Sequence, residues 1–205
     1  MCQPNLAAAS SYALARLAHE LPLTLCYHSI AHTRDDVLPA LEHLIATLDV
    51  TSENLLLLRT AAYYHDLGFV ERYDEHETAS AQIASNVLPQ FGYTSSQIAQ
   101  IVGMIMATQL PQSPTTLLEQ TLADADLDVL GRDDFLPLCH CLRDELWHTG
   151  VIMSDAAWYR QQLALLQDHQ YWTPAARSRR DAQKQRNMVL LEHLLAGSYS
   201  SSRQG

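Results

Sequence analysis

The sequence predicts an all-α protein, a bundle of eight or nine helices. Apolar residues recur at helical spacing along nearly the whole chain. With only 7 Gly and 8 Pro in 205 residues, it is too poor in turn formers for a β-sandwich or barrel, or for disorder. At 47% hydrophobic and 18% charged residues it can build a real core. A chain of this length buries roughly 70% of its extended surface and folds without a disulfide or metal staple.

The elements follow in order. Residues 5–20 are rich in Ala and Leu at helical spacing. Residues 24–48 carry Leu25, Ile30, Val37, Leu38, Leu41, Leu44, Ile45 and Leu48, a long amphipathic pattern with a kink or break expected at Pro39. Residues 52–67 are apolar on almost every side, the signature of a buried helix, and Gly68 supplies its stop. A fourth helix opens at Asp74 and runs to about Gln90, ended by Phe91-Gly92. Helices over 95–108 and about 115–130 are separated by Pro111-Gln-Ser-Pro114, and Gly131 ends the second. Helices at about 133–148, 155–169 and 175–196 complete the chain. Length alone allows one ordinary domain or two very small ones. With no repeat, low-complexity core segment or linker, the reading is one domain over 1–196. Its core is at about 24–131, its C-terminal helices at 133–196, and 197–205 form a Ser-rich flexible tail.

Composition excludes several functions. A net charge of −10 disfavours a surface that tracks nucleic-acid phosphates, although a local basic pocket stays open. No stretch approaches the ~20 apolar residues of a membrane span. Arg16 and Glu20 interrupt the apolar N-terminal part, which has no basic leader, so the expected location is the cytoplasm. The cysteines Cys2, Cys26, Cys139 and Cys141 form no CxxC pair and read as reduced thiols. Cys139-His140-Cys141 lacks the spacer and second half of a zinc motif.

Three motifs carry chemistry. In Tyr27-His28-Ser29-Ile30-Ala31-His32, His28 and His32 are four apart, so a helix puts both on one face. In Tyr63-Tyr64-His65-Asp66-Leu67-Gly68, a His and a carboxylate end an apolar helix, where burial is costly unless they are paired or bind a metal. In Leu122-Ala123-Asp124-Ala125-Asp126-Leu127-Asp128, Asp126 falls beside the stripe Leu118, Leu122, Ala125 and Val129. Asp124 and Asp128 read as a solvated acidic face. His32, His65, Asp66 and Asp126 together suit one divalent ion with open positions; Mn²⁺, Fe²⁺, Ni²⁺, Zn²⁺ and Mg²⁺ all accept such ligands.

This order of His, His-Asp and Asp resembles the HD superfamily of metal-dependent phosphohydrolases, from about Tyr27 to Gly131. The resemblance implies an all-helical fold, with His32, His65, Asp66 and Asp126 as metal ligands. It also implies hydrolysis of a small phosphomonoester or phosphodiester, with a nucleotide as the expected substrate, by attack of metal-bound water. Tyr27-His28-x-x-x-His32 is similar to the matching stretch of cyclic-nucleotide phosphodiesterases, which makes His32 the ligand and His28 the general acid for the leaving oxygen. Ser29 replaces their Asn and Val37 sits one place late, so cyclic-nucleotide specificity does not transfer. The Asp-Ala-Asp-Leu-x-x-Leu-Gly run and Leu142-Arg143-Asp144-Glu145 look more like bacterial stand-alone HD phosphohydrolases. Asp66 doubles as the group that orients or deprotonates the water, and Asp35 or Asp36 would favour a charged His28.

Substrate contacts are expected from His76, Glu77, Arg143 and Lys184. Asp74-x-x-Glu77 also matches a capping box, the favoured role for Glu77, while His76 is also a candidate ligand for a second metal. The Arg and Lys residues at 177–186 read mostly as a solvated face, with Lys184-x-x-Asn187 similar to the C-terminal part of stand-alone HD proteins. Tyr64, Met104 and Met106 read as core. The competing readings are a non-catalytic HD module that binds a nucleotide or partner protein, and a di-iron HD-fold oxygenase. The oxygenase needs more His residues than the chain offers between 77 and 139.

Overall fold

The computed structural model describes residues 3–201, with side chains through Gly197. Cys2 and residues 202–205 of the expected tail lie outside the described residues. Nine α-helices and no strand are present among them, so the fold is all-α. The chain forms two compact units, one of the residues up to Leu23 with His28–Leu127, the other of Thr24–Tyr27 with Asp128 onward. No described helix is long and apolar enough to cross a membrane.

The first unit is built on α3 (Ser52–Tyr64), opened by Thr51, whose hydroxyl accepts the Asn54 N–H at 3.1 Å. Leu57, Leu58, Ala61, Ala62 and Tyr64 are buried, as an all-apolar helix requires. On it lies α1 (Leu6–Glu20), capped by Asn5, with Ala9, Ala13 and Leu17 on its inner face. The Tyr64 hydroxyl donates to the Ala9 carbonyl at 3.1 Å. Around this pair stand α2 (Leu38–Ile45), α4 (His76–Val87), α5 (Ser95–Met106) and α6 (Leu117–Asp126). Thr94 with Gln97, and Thr116 with Glu119, close complete capping boxes on α5 and α6. Tyr64 and Met104 are core as expected, and Met106 is half-buried.

Three local features differ from the sequence expectation. The helix expected over 24–48 starts only at Ile30, runs through a π-helical turn His32–Val37, and ends at Ile45. The Leu38 N–H bonds the Thr33 carbonyl five residues back. Pro39 has no N–H for the Asp35 carbonyl, and the wider turn ends two residues before it. Gly68 is not a left-handed helix stop, because α3 ends at Tyr64 and Gly68 lies in a 3₁₀ turn, Leu67–Val70. A Cβ there would stand 1.9 Å from the His76 carbonyl oxygen, so glycine is required by the close approach of α4. The helix expected over 115–130 is α6 followed by a 3₁₀ turn, Asp128–Gly131.

The second unit holds that turn with α7 (Phe135–His148), α8 (Asp155–Asp168) and α9 (Pro174–Ser201). The helix expected to end at residue 196 continues to Ser201. One face of α9 clamps the 3₁₀ turn. Arg180 makes a two-bond ion pair with Asp128 at 2.6 and 2.5 Å, and Asn187 donates to the carbonyls of Leu130 and Arg132. Asp128 is therefore buried against Arg180 rather than solvated, and Arg180 and Lys184 are not a free basic face. Cys26 and Cys141 are paired, with Cα atoms 5.8 Å apart, where reduced thiols were expected. Cys139 is buried and its sulfur accepts from Trp158 Nε1 at 3.2 Å, so the Cys-His-Cys run diverges to separate partners.

Candidate metal centre

The metal-ligand candidates all belong to the first unit and come from the ends of its elements. His65 is the residue after α3, held with no exposed surface. Asp66 has left the helix, at φ −102° and ψ 6°, in the sparsely populated bridge region where active-site residues recur. His32 opens the π-helical turn, and Asp126 is the last residue of α6. Packing of α6 against α2 and α3 brings these ends together.

His32, His65 and Asp66 offer ligand atoms that all lie within 4.8 Å of one another, and Asp126 Oδ1 borders the two imidazoles. His32 Nε2 lies 3.5 Å from Asp66 Oδ2 and 3.2 Å from Asp126 Oδ1. His65 Nε2 lies 3.3 Å from Asp66 Oδ2 and 3.4 Å from Asp126 Oδ1. Ligands about 2.1 Å from a single ion stand roughly 3.0–3.5 Å apart at octahedral or tetrahedral angles, so the spacing fits a divalent cation. His65 Nε2 and Asp66 Oδ2 are buried and make no hydrogen bond, an arrangement a cation would satisfy. Asp126, not Asp124, carries the carboxylate of this set. Asp124 is nevertheless fully buried, against the expected solvated face.

The electrostatics agree with the geometry. Burial alone would lower the His65 pKa, but the carboxylates of Asp66 and Asp126 outweigh it and hold it well above the ordinary imidazole value. Burial would raise both carboxyls, yet the facing imidazoles hold Asp66 well below its usual range and bring Asp126 to about 2. The His65 proton stands where a cation would, and the carboxylates of Asp66 and Asp126 stay charged.

The remaining candidates divide between the units. His28 is in a bend before the helix, so it and His32 do not share a helix face; their ring centroids are 6.1 Å apart, edge to face. His76, at the start of α4, places Nε2 3.5 Å from Asp66 Oδ1, on the oxygen turned away from His65. Burial lowers its pKa, but Asp66 more than compensates and the net shift is upward. Glu77 is not a capping residue. The N-cap of α4 is Glu75 in a left-handed conformation with no side-chain bond, and buried Glu77 sits with Oε1 3.5 Å from His76 Nε2. Asp35 is paired with Arg34. Arg143 and Lys184 belong to the second unit, and both use their donors inside it. Arg143 binds Asp155 and the Met153 carbonyl, while buried Lys184 donates to the His169 carbonyl at the end of α8. Phe69, which stacks on both His28 and His76, has no counterpart in the sequence reading: a single aromatic in a 3₁₀ turn leaves no periodic signal.

The HD domain family model matches residues 14–128, and the chain belongs to that family. A crystal structure of a predicted HD superfamily hydrolase from an uncultured Thermotogales bacterium is similar in fold. It has a TM-score of 0.61 and 19% sequence identity over 95% of this chain and 93% of the other. No curated protein matches the sequence.

Proposed function

We propose that the chain is a metal-dependent hydrolase of small phosphoesters, acting on a phosphomonoester or phosphodiester, with a nucleotide as the favoured substrate class. The observation that carries this reading is the ring of four facing donor atoms, two of them buried without hydrogen bonds. His32, His65, Asp66 and Asp126 would hold one divalent ion. Such an ion, when bound, makes water nucleophilic at neutral pH and polarises a phosphoryl oxygen.

The chain's own groups do the rest. Asp66 turns Oδ2 toward the two ligand imidazoles and Oδ1 toward His76, so His76 fixes the carboxylate's rotation. His28 stands beside His32 and donates a proton to the departing oxygen, a contribution of typically 10²–10⁴-fold. Glu77 Oε1 stands 3.5 Å from His76 Nε2 and adds a second negative charge beside the His76 ring. Arg143 and Lys184 have no phosphate-binding part in this scheme, since their donors already serve the second unit.

The test is metal analysis of the purified protein, with hydrolysis of bis-p-nitrophenyl phosphate and p-nitrophenyl phosphate in added Mn²⁺, beside Asp66→Ala. About one metal per chain, with hydrolysis lost in the variant, supports the enzyme, and the preferred ester separates diester from monoester. Bound metal with no turnover of either ester favours the non-catalytic binding module. No metal under any loading condition removes the site.

A further inference from the structure

We propose that Phe69 is a positioning residue that sets the orientation of both imidazoles beside the metal ligands, His28 and His76. The inference rests on the phosphohydrolase reading for its kinetic consequence, but not for its geometry. The Phe69 ring stacks on His28 with centroids 4.3 Å apart and planes 25° apart. It stacks on His76 at 3.8 Å and 18°. The 43° between the two imidazoles equals the sum of these tilts, so the Phe69 plane is intermediate in orientation, while their centroids, 6.0 Å apart, place both rings around Phe69 rather than on its opposite faces. Tyr73 closes the cluster, edge-on to Phe69 at 5.3 Å and to His28 at 6.2 Å.

Phe69 is itself fixed. It is buried, and its N–H donates to the Asp66 carbonyl at 3.1 Å within the 3₁₀ turn that follows the His-Asp pair. The approach of Gly68 to the His76 carbonyl, with the Gly68 N–H donating to Ser80 Oγ at 2.7 Å, locks the start of α4 onto this turn. His76 is thereby delivered to the Phe69 ring. His28 comes from an irregular segment with no helix to orient it, so a flat aromatic face is the rigid surface it packs on. Both imidazoles need fixed planes: His28 to aim its proton, and His76 to meet Asp66 Oδ1. Misplacement of such a group by about 1 Å costs on the order of 10²-fold in rate. Leucine keeps the apolar volume approximately but offers no flat face.

The experiment compares wild type with Phe69→Leu, Phe69→Tyr, His28→Ala and the Phe69→Leu/His28→Ala double variant. Phe69→Met replaces the Leu variant if that one loses helicity. Imidazole C–H resonances, assigned with His28→Ala and His76→Gln, report ring stacking without any need for activity. In Phe69→Leu, with metal content retained, the His28 and His76 resonances should move while those of exposed His43 and His193 stay. Its kcat should fall about 10- to 100-fold with KM within roughly threefold, Phe69→Tyr should recover most of the loss, and Phe69→Leu should cost little more once His28 is gone. Unmoved His28 and His76 resonances, or a rate loss that multiplies in full in the double variant, would overturn the proposal. Wild type that turns over no phosphoester defeats the phosphohydrolase reading instead, and the resonances still decide the role of Phe69.

Discussion

His65 Nδ1 lies 2.8 Å from the Ala62 carbonyl oxygen, which can only accept, so the ring proton is on Nδ1 and Nε2 points into the site. The final turn of α3 thus sets the tautomer of a proposed metal ligand, as the outer partners of ligating imidazoles commonly do. The consequence is measurable as linkage. Mn²⁺ at about 100 times its dissociation constant should stabilise the protein by about 2.7 kcal/mol, seen as a rise in melting temperature. His65→Ala should abolish that rise. An equal rise in the variant would mean the metal binds elsewhere.

Metal uptake should also release protons. His65 holds its proton to well above the ordinary pKa because Asp66 and Asp126 overcome the cost of its burial. A cation must displace that proton, so apparent affinity should rise with pH across neutrality. Calorimetry in buffers of different ionisation enthalpy reads the proton count, and a count of zero at pH 7 contradicts the charge state drawn here. The sign for metal-free stability is opposite on the two sides. The raised His65 pKa contributes stability that is fully present below about 6.5 and lost as pH rises through the higher folded value. The depressed Asp126 pKa contributes stability present above about 3.9 and lost as pH falls toward about 2.

Much of this was legible in the sequence, for physical reasons that also mark where it stopped. The buried α3 announced itself by being apolar all round, and Asp126 by lying beside an apolar stripe at 100° per residue. The segment before Ile30 is not helical, although Leu25 and Ile30 extend the amphipathic pattern of the helix that follows. Asp128 read as solvated because its partner, Arg180, is 52 residues away, and local periodicity carries no trace of such a pair. Gly68 stands out in the sequence, but its physical role is visible only in the packing. Glycine after a helix suggests a left-handed cap, whereas its use here is the contact with α4.

That contact makes Gly68→Ala a sharp test of the scaffold. The new Cβ would meet the backbone of His76 and Ser80 at 1.9 and 2.7 Å, and backbone cannot swing aside as a side chain can. The expected loss is about 3 kcal/mol or more in urea denaturation, as for severe overpacking. Gly150→Ala is the control: Gly150 has φ +93° and nothing within 4 Å of its added Cβ, so only backbone strain of about 1–2 kcal/mol applies. Equal losses at the two positions would show that the approach of α4 is not tight.

In the second unit, His169 should make stability acid-sensitive. Burial first, and the neighbouring Lys184 ammonium second, lower its pKa to about 4. Its Nδ1 lies 3.3 Å from Lys184 Nζ, and its Nε2 is buried without a hydrogen bond. Below about 6.5 the unfolded chain binds a proton that the folded one refuses until about 4. Folded stability should therefore decline as pH falls through that window, by at most about 3.5 kcal/mol, since one pKa unit corresponds to about 1.4 kcal/mol. Partial exposure of the ring reduces the figure. His169→Gln removes the titrating group while keeping a polar side chain, so its stability should be flatter between pH 6.5 and 4 than that of wild type. Parallel pH profiles for the two proteins would place the acid sensitivity elsewhere.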